Sequence, residues 1–271
     1  MDLFNKDFIK QILFENGIRL TKKLGQNFLI DKNIVAKMVN SADIKNTDTI
    51  LEIGPGIGIL TQEIAKKAKF VIALEKDRAL ARIVQENFKD VKVIEADALK
   101  IDIKEAIPDS DDYKIIANLP YNIALKVIRV FLEHQYPPKS ITVIIQKEVS
   151  QKICSTKSIL PKIAFNFYGK PKNLFYISKE CFWPKPKVDG AVLQITEIQK
   201  NMPDVDHKLF FKILKAGFSH PRKTILNNLL AFSDQKEKII NWLGKSGIDS
   251  QARAEILTLN DWIKLTCHFD L

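Results

Sequence analysis

Asn118-Leu119-Pro120-Tyr121 closes the apolar run Lys114-Ile115-Ile116-Ala117 and sets a planar amide, a backbone carbonyl, a rigid turn and an aromatic face side by side. Proline fixes φ and removes a backbone donor, so the turn after Asn118 is stiff. That combination suits holding a flat base while its exocyclic amine reacts. Four residues of this kind also make an ordinary strand-to-loop turn, so the reading depends on a second motif upstream.

The second motif is Glu52-Ile53-Gly54-Pro55-Gly56-Ile57-Gly58, after the apolar stretch Thr49-Ile50-Leu51 and before the helical pattern Ile59 to Ala65. Strand, glycine loop and helix in that order form a nucleotide-type cofactor site at the edge of a parallel sheet. The glycine spacing is G-x-G-x-G rather than the G-x-G-x-x-G of the dinucleotide fingerprint, and Pro55 removes an amide a pyrophosphate would use. Glu75 ends the next strand and is placed for two ribose hydroxyls. Asp97 follows the strand Val91–Glu95 and suits an adenine amino group. With Glu75, Asp97 and Asn118 at successive strand ends, an adenosyl cofactor without a pyrophosphate fits best. A surface carboxylate is the plain alternative for Glu75 and Asp97, and Asp97 also suits capping the turn into Ala98-Leu99.

The elements that must position these residues follow from periodicity. Candidate strands are Ile50–Ile53, Phe70–Glu75, Val91–Glu95, Lys114–Asn118, Ile141–Gln146, Lys172–Ile177 and Gly190–Ile195. The first five alternate with helical patterns and predict an α/β fold with a parallel sheet and right-handed crossovers. The connection Ser178–Asp189 is too short for a helical crossover, so the last two strands are expected to pair antiparallel. Residues 199–206 are polar and read as a boundary between a domain at 1–198 and a small all-helical domain at 199–271. Helical periodicity in the tail covers His207–Phe218, Thr224–Leu230, Lys236–Leu243 and Asp261–Cys267.

Composition narrows the class. At 271 residues, 46% hydrophobic and 27% charged, the chain is globular and no apolar run approaches membrane-spanning length. The acidic start lacks a secretory pattern, which points to the cytoplasm. Cys154, Cys181 and Cys267 are scattered and read as reduced, buried or incidental thiols, with no metal site expected. The net charge is +10, and Gln146 to Lys187 alone carries nine lysines against two acids. Phe165, Phe167, Tyr168, Phe175, Tyr176, Phe182 and Trp183 interleave with those lysines, a pattern of nucleic-acid surfaces. For Phe165, Phe167, Phe175 and Tyr176 the spacing favours core positions instead.

Several blocks together resemble the ribosomal RNA small-subunit adenine N6,N6-dimethyltransferase family over nearly the full length. They are Leu24 to Asp31, Glu52 to Gly58 with Glu75, Asn118 to Ile123, Ile145 to Val149, and Pro184 to Val192. The resemblance implies a Rossmann-like methyltransferase domain with a mostly parallel seven-stranded sheet, followed by a helical RNA- or ribosome-binding domain. It implies S-adenosylmethionine as methyl donor and two adjacent adenines near the 3′ end of small-subunit (16S) rRNA as target, recognised in a pre-assembled particle by a monomer. It places the cofactor against Asn27 and Leu29 at the methionine end, Gly54 through backbone, Glu75 at the ribose and Asp97 at the adenine. Asn118 lies between cofactor and target. For Asn27 and Leu29, helix capping and core packing are the alternative. The Asn118 side-chain oxygen and the Leu119 carbonyl would accept the two N6 hydrogens, turning the nitrogen lone pair toward the methyl group. Tyr121 and Phe182 would stack on the extruded base, and Tyr121 would add cation–π attraction to the sulfonium.

Three positions depart from the family pattern. Ser158-Ile159-Leu160-Pro161-Lys162 replaces Tyr-Gly-Arg-Leu-Ser, Gly190 replaces a serine, and Ser219 to Thr224 replaces an arginine-rich start. None of the three is expected to touch the methyl-transfer residues, and Arg222 and Lys223 remain candidates for phosphate contact. Alternatives stay open: a related group that modifies a large-subunit adenine, a mitochondrial transcription factor that uses the same fold to bind nucleic acid, and an NAD-dependent Rossmann enzyme.

Overall fold

The chain folds, in a computed structural model, with residues 2–18, 27–107, 112–198, 205–233 and 235–270 described. Leu24 to Gln26 of the first family block, and residues 199–204 of the expected boundary, lie outside the described residues. Strands among the described residues are β1 (Phe28–Leu29), β2 (Thr49–Ile53), β3 (Phe70–Glu75), β4 (Val91–Glu95), β5 (Tyr113–Asn118), β6 (Ser140–Gln146), β7 (Lys170–Ile177), β8 (Phe182–Trp183) and β9 (Gly190–Thr196). The seven strands expected from the sequence form one sheet in the order β4-β3-β2-β5-β6-β9-β7. Neighbours from β4 to β6 are parallel, and β9 runs antiparallel to β6 with Gly190 opposite Gln146. The last strand in sequence thus lies between β6 and β7, and β7 takes the edge.

The central strands are apolar because both faces are covered. Ile115, Ile116 and Ala117 of β5 and Ile141, Val143, Ile144 and Ile145 of β6 are all buried. Such strands read as nearly continuous hydrophobic runs. The flanking helix Arg78–Asn87 buries Leu80, Ala81, Ile83 and Val84, and the Asp77 carboxylate caps it by accepting from the Ala79 and Leu80 N–H groups. Burial of each large apolar side chain stabilises by about 1.5–3 kcal/mol. A second pairing was not expected. β1 and β8 form a two-stranded antiparallel ribbon with Leu29 opposite Phe182 and Phe28 opposite Trp183.

Two compact units emerge. One comprises residues 1–150 with 171–200, and the other 151–170 with 201–271. The second unit is helical and includes Leu160–Asn166, His207–Gly217, Ile225–Leu229, Lys236–Lys245 and Leu259–Cys267. Pro161 falls in the first turn of Leu160–Asn166, where a missing N–H costs nothing. The core of this unit is built on Phe210, Leu214, Trp242, Trp262 and Leu265, and Trp242 Nε1 donates to the Leu265 carbonyl at 2.8 Å. Phe167 stacks on Phe210 at 4.1 Å, so the core reading of Phe167 holds. It fails for Tyr176, which is 47% exposed on the edge strand β7. Among the described residues Cys154, Cys181 and Cys267 form no disulfide, and Cys267 lies at the surface. Among the described residues no helix is long and apolar enough to cross a membrane.

Candidate active site

Parallel neighbours β4, β3, β2 and β5 end at the same edge of the sheet, and the residue types singled out above sit at those ends. A cavity of about 420 Å³ opens there, within the range of small-molecule sites. Asn27, Leu29, Gly54, Glu75, Asp97, Asn118, Leu119, Tyr121 and Phe182 all line it.

The floor is the glycine loop. Gly54, Gly56 and Gly58 have φ of +69°, +61° and +95°, a region other L-residues resist. At Gly56 a side chain would also meet the Phe28 ring at 2.9 Å. The loop is tied to the next strand: Gly54 N–H donates to the Leu74 carbonyl at 2.9 Å, and Gly56 N–H donates to Glu75 Oε2 at 3.2 Å. Asp77 N–H donates to the other Glu75 oxygen at 2.9 Å. Burial raises the Glu75 carboxyl, while these backbone donors pull it back down. Beneath the loop Glu52 is 1% exposed and accepts from the Thr61 hydroxyl at 2.6 Å. Burial, with the Thr61 bonds opposing and the Glu75 charge adding, pushes its carboxyl up to about 8.

Asp97 is ionised and well held. Leu99 N–H donates to Oδ1 at 3.0 Å and Lys76 Nζ to Oδ2 at 2.9 Å, both lowering its acidity range. It therefore both caps the turn into Ala98-Leu99 and faces the cavity. Lys76 is exposed, so that ion pair is worth only ~0–1 kcal/mol.

On the opposite wall, Asn118 Nδ2 donates to the Asn27 carbonyl at 2.9 Å. This fixes the amide and leaves Oδ1 as its accepting atom. The following turn is closed by Ile123 and Ala124 N–H groups donating to the Pro120 carbonyl, not to that of Leu119. Asn27 does not cap the helix Lys32–Ser41; Asp31 does, accepting from Asn33 and Ile34 N–H. Leu29 is buried and carried by the ribbon beside Phe182.

Gly190 corrects the expectation that the family departures avoid this region. A Cβ there would lie 3.0 Å from Tyr121 Oη, 3.3 Å from Ile144 and 3.5 Å from Phe182. The Tyr121 hydroxyl is buried with no hydrogen-bond partner among the described residues, and burial, with Asp189 and Glu148 adding, pushes it up to about 12. The phenol stays neutral. Sequence reasoning also missed Glu52, Phe28, Lys76 and Asp77 as lining residues. An acid between Leu51 and Ile53 in an apolar strand was the available signal for Glu52.

The profile of the family described as "Ribosomal RNA adenine dimethylase" matches residues 17–270. The chain belongs to that family. Members close to it include the "Ribosomal RNA small subunit methyltransferase A" of Shouchella clausii (strain KSM-K16), 39% identical over 94% of this chain and 91% of that protein. The protein of that name from Dehalococcoides mccartyi (strain ATCC BAA-2100 / JCM 16839 / KCTC 5957 / BAV1) is 37% identical over 96% of this chain and 92% of its own length. Among solved structures, a dimethyladenosine transferase from Plasmodium falciparum aligns with TM-score 0.72 at 24% identity, covering 87% of this chain and 94% of that one. The 23S rRNA methyltransferase ErmE aligns with TM-score 0.68 at 21% identity, covering 89% and 98%. These two share the fold of this dimethylase family member: a Rossmann-like sheet of seven strands, mostly parallel.

Proposed function

We propose that this protein transfers methyl groups from S-adenosylmethionine to N6 of two adjacent adenines near the 3′ end of small-subunit rRNA. The product is N6,N6-dimethyladenosine, made in the cytoplasm by a monomer acting on a pre-assembled small subunit. The observation that carries the reading is the Asn118 amide, locked by its bond to the Asn27 carbonyl so that its oxygen is left to accept, with Leu119 lining the same cavity. The names of the curated relatives support the small subunit as target.

The residues present fit the methyl donor. Glu75 offers two oxygens already oriented by backbone N–H groups for ribose hydroxyls, and ionised Asp97 offers an acceptor for the adenine amine. Gly54 presents bare backbone, and Asn27 and Leu29 would hold the methionine end. When bound, S-adenosylmethionine supplies an electrophilic methyl on a sulfonium that leaves readily. Adenine N6 is a poor nucleophile because its lone pair is delocalised into the ring. Asn118 Oδ1 and the Leu119 carbonyl would accept hydrogen bonds from its N–H groups and turn that lone pair toward the bound methyl donor. Positioning of this kind lowers barriers by several kcal/mol, up to ~7–11 in well-oriented intramolecular systems. Tyr121 and Phe182 grip the flipped base by stacking. The helical unit, with exposed Arg222 and Lys223, is the part assigned to RNA or ribosome contact.

Incorporation of labelled methyl from S-adenosylmethionine into purified, unmethylated small subunits tests this. Dimethyladenosine at two adjacent 3′-end adenines is the expected product. A large-subunit product instead would give the protein the other target. Cofactor binding with no incorporation into either subunit would overturn the assignment.

A further inference from the structure

Neither the core nor the methyl-transfer site accounts for Tyr176. It lies on β7, the edge of the sheet, and 47% of it is open to solvent. Alternation along a strand puts Lys172 on the same face, and Lys172 is exposed with no ion pair among the described residues. Lys147 Nζ sits over the Tyr176 ring, 5.2 Å from its centroid.

That lysine links the ring to the target-base wall. Lys147 N–H donates to the Asp189 carbonyl at 3.0 Å, and its Nζ is 3.6 Å from Asp189 Oδ2. The next residue, Gly190, lies directly under Tyr121 and Phe182. An exposed aromatic face flanked by cations therefore stands a few contacts outside the pocket for the flipped adenine. Single-stranded nucleic acid is held by this pairing of base-stacking rings with cations that meet the backbone.

Resting on the proposed function, we infer that Tyr176 is a stacking platform for an unpaired nucleotide flanking the target adenine, with Lys147 and Lys172 meeting its phosphates. A flipped base leaves its neighbour unstacked on one side, and Tyr176 offers that neighbour a new partner close by. Asp189 does not oppose this, because its carboxylate is already engaged by the Lys179 N–H and Lys147.

The test compares wild type, Tyr176→Ala and Tyr176→Phe as full-length proteins. Binding is read with a short adenine-containing single-stranded oligoribonucleotide, and turnover with unmethylated small subunits. Tyr176→Ala is expected to weaken oligonucleotide binding and raise KM for subunits by about 5- to 100-fold. Its kcat and S-adenosylmethionine affinity should stay within about twofold, and Tyr176→Phe should match wild type. Lys147→Gln should lower the slope of log Kd against log salt by about one phosphate's worth, ~0.7. Tyr176→Ala binding the oligonucleotide as wild type does would overturn the inference. So would Tyr176→Phe falling as far as Tyr176→Ala, since stacking does not need the hydroxyl. The binding arm needs no turnover, so failure of wild type to methylate subunits would sink the functional reading while the platform is still judged by Kd.

Discussion

Glu52→Gln should make this protein more stable near neutral pH, although the carboxylate looks from sequence like part of a binding motif. Glu52 is sealed under the glycine loop, and its carboxyl ionises at about 8 in the folded chain against 4.5 for the ordinary group. The sign follows from proton counting. The folded state keeps a proton that the unfolded state gives up between about pH 4.5 and 8, so stability falls as pH rises through that window. It is undiminished below the window and falls no further above it. Each pH unit inside the window costs about 1.4 kcal/mol, or ~3 kcal/mol accumulated by neutral pH. Glutamine is neutral throughout and its oxygen can still accept from the Thr61 hydroxyl. Urea unfolding of both proteins at several pH values, without cofactor, reads the difference directly. The two should be within about 1 kcal/mol of each other at about pH 5, and the variant ahead by ~4 kcal/mol at about pH 8. A gap that does not change with pH, or a variant less stable than wild type at neutral pH, would mean that Glu52 is ionised in the fold.

Other substitutions probe the opposite wall. Asn118→Ala should lower methyl transfer by at least about 100-fold while cofactor affinity, by calorimetry, stays within about tenfold; equal loss of both would remove the assigned role. Gly190→Ala puts a methyl 3.0 Å from Tyr121 Oη, so kcat should drop severalfold with cofactor binding unchanged, and adding Tyr121→Phe should restore it. If the double variant stays as slow as Gly190→Ala, the strain runs through Ile144 instead. Affinity for small subunits should fall steeply with salt, by about 0.7–0.9 in log–log slope per phosphate neutralised. A flat plot would make the lysine-rich segment a solvated face.

The cavity was legible where residue type and strand end coincide. Gly54, Glu75, Asp97 and Asn118 each sit at or just past the end of a strand among parallel neighbours, so ordering the strands brings them together without any long-range information. Asn27, Leu29 and Phe182 were placed only through family resemblance, because β1 and β8 are two residues each and too short to have a period. Tyr176 was misplaced because alternation tells which face a residue takes, while exposure depends on β7 being at the sheet edge. The proximity of Gly190 to Tyr121 belongs to the same class, since β9 inserts between β6 and β7 and no local pattern encodes that insertion. The protonated state of Glu52 needed burial on every side, which one strand cannot reveal.

The ribbon of Leu29 and Phe182 joins residues more than 150 positions apart through one short pairing. Closing so large a loop costs chain entropy before any contact repays it, and two-residue strands repay little. The ribbon is therefore expected to form late in folding and to open early under mild denaturant, at a free energy well below that of the central sheet. Ligand binding would then be lost while the circular dichroism of the sheet is still intact, so the cavity wall has a separate, lower stability than the scaffold behind it.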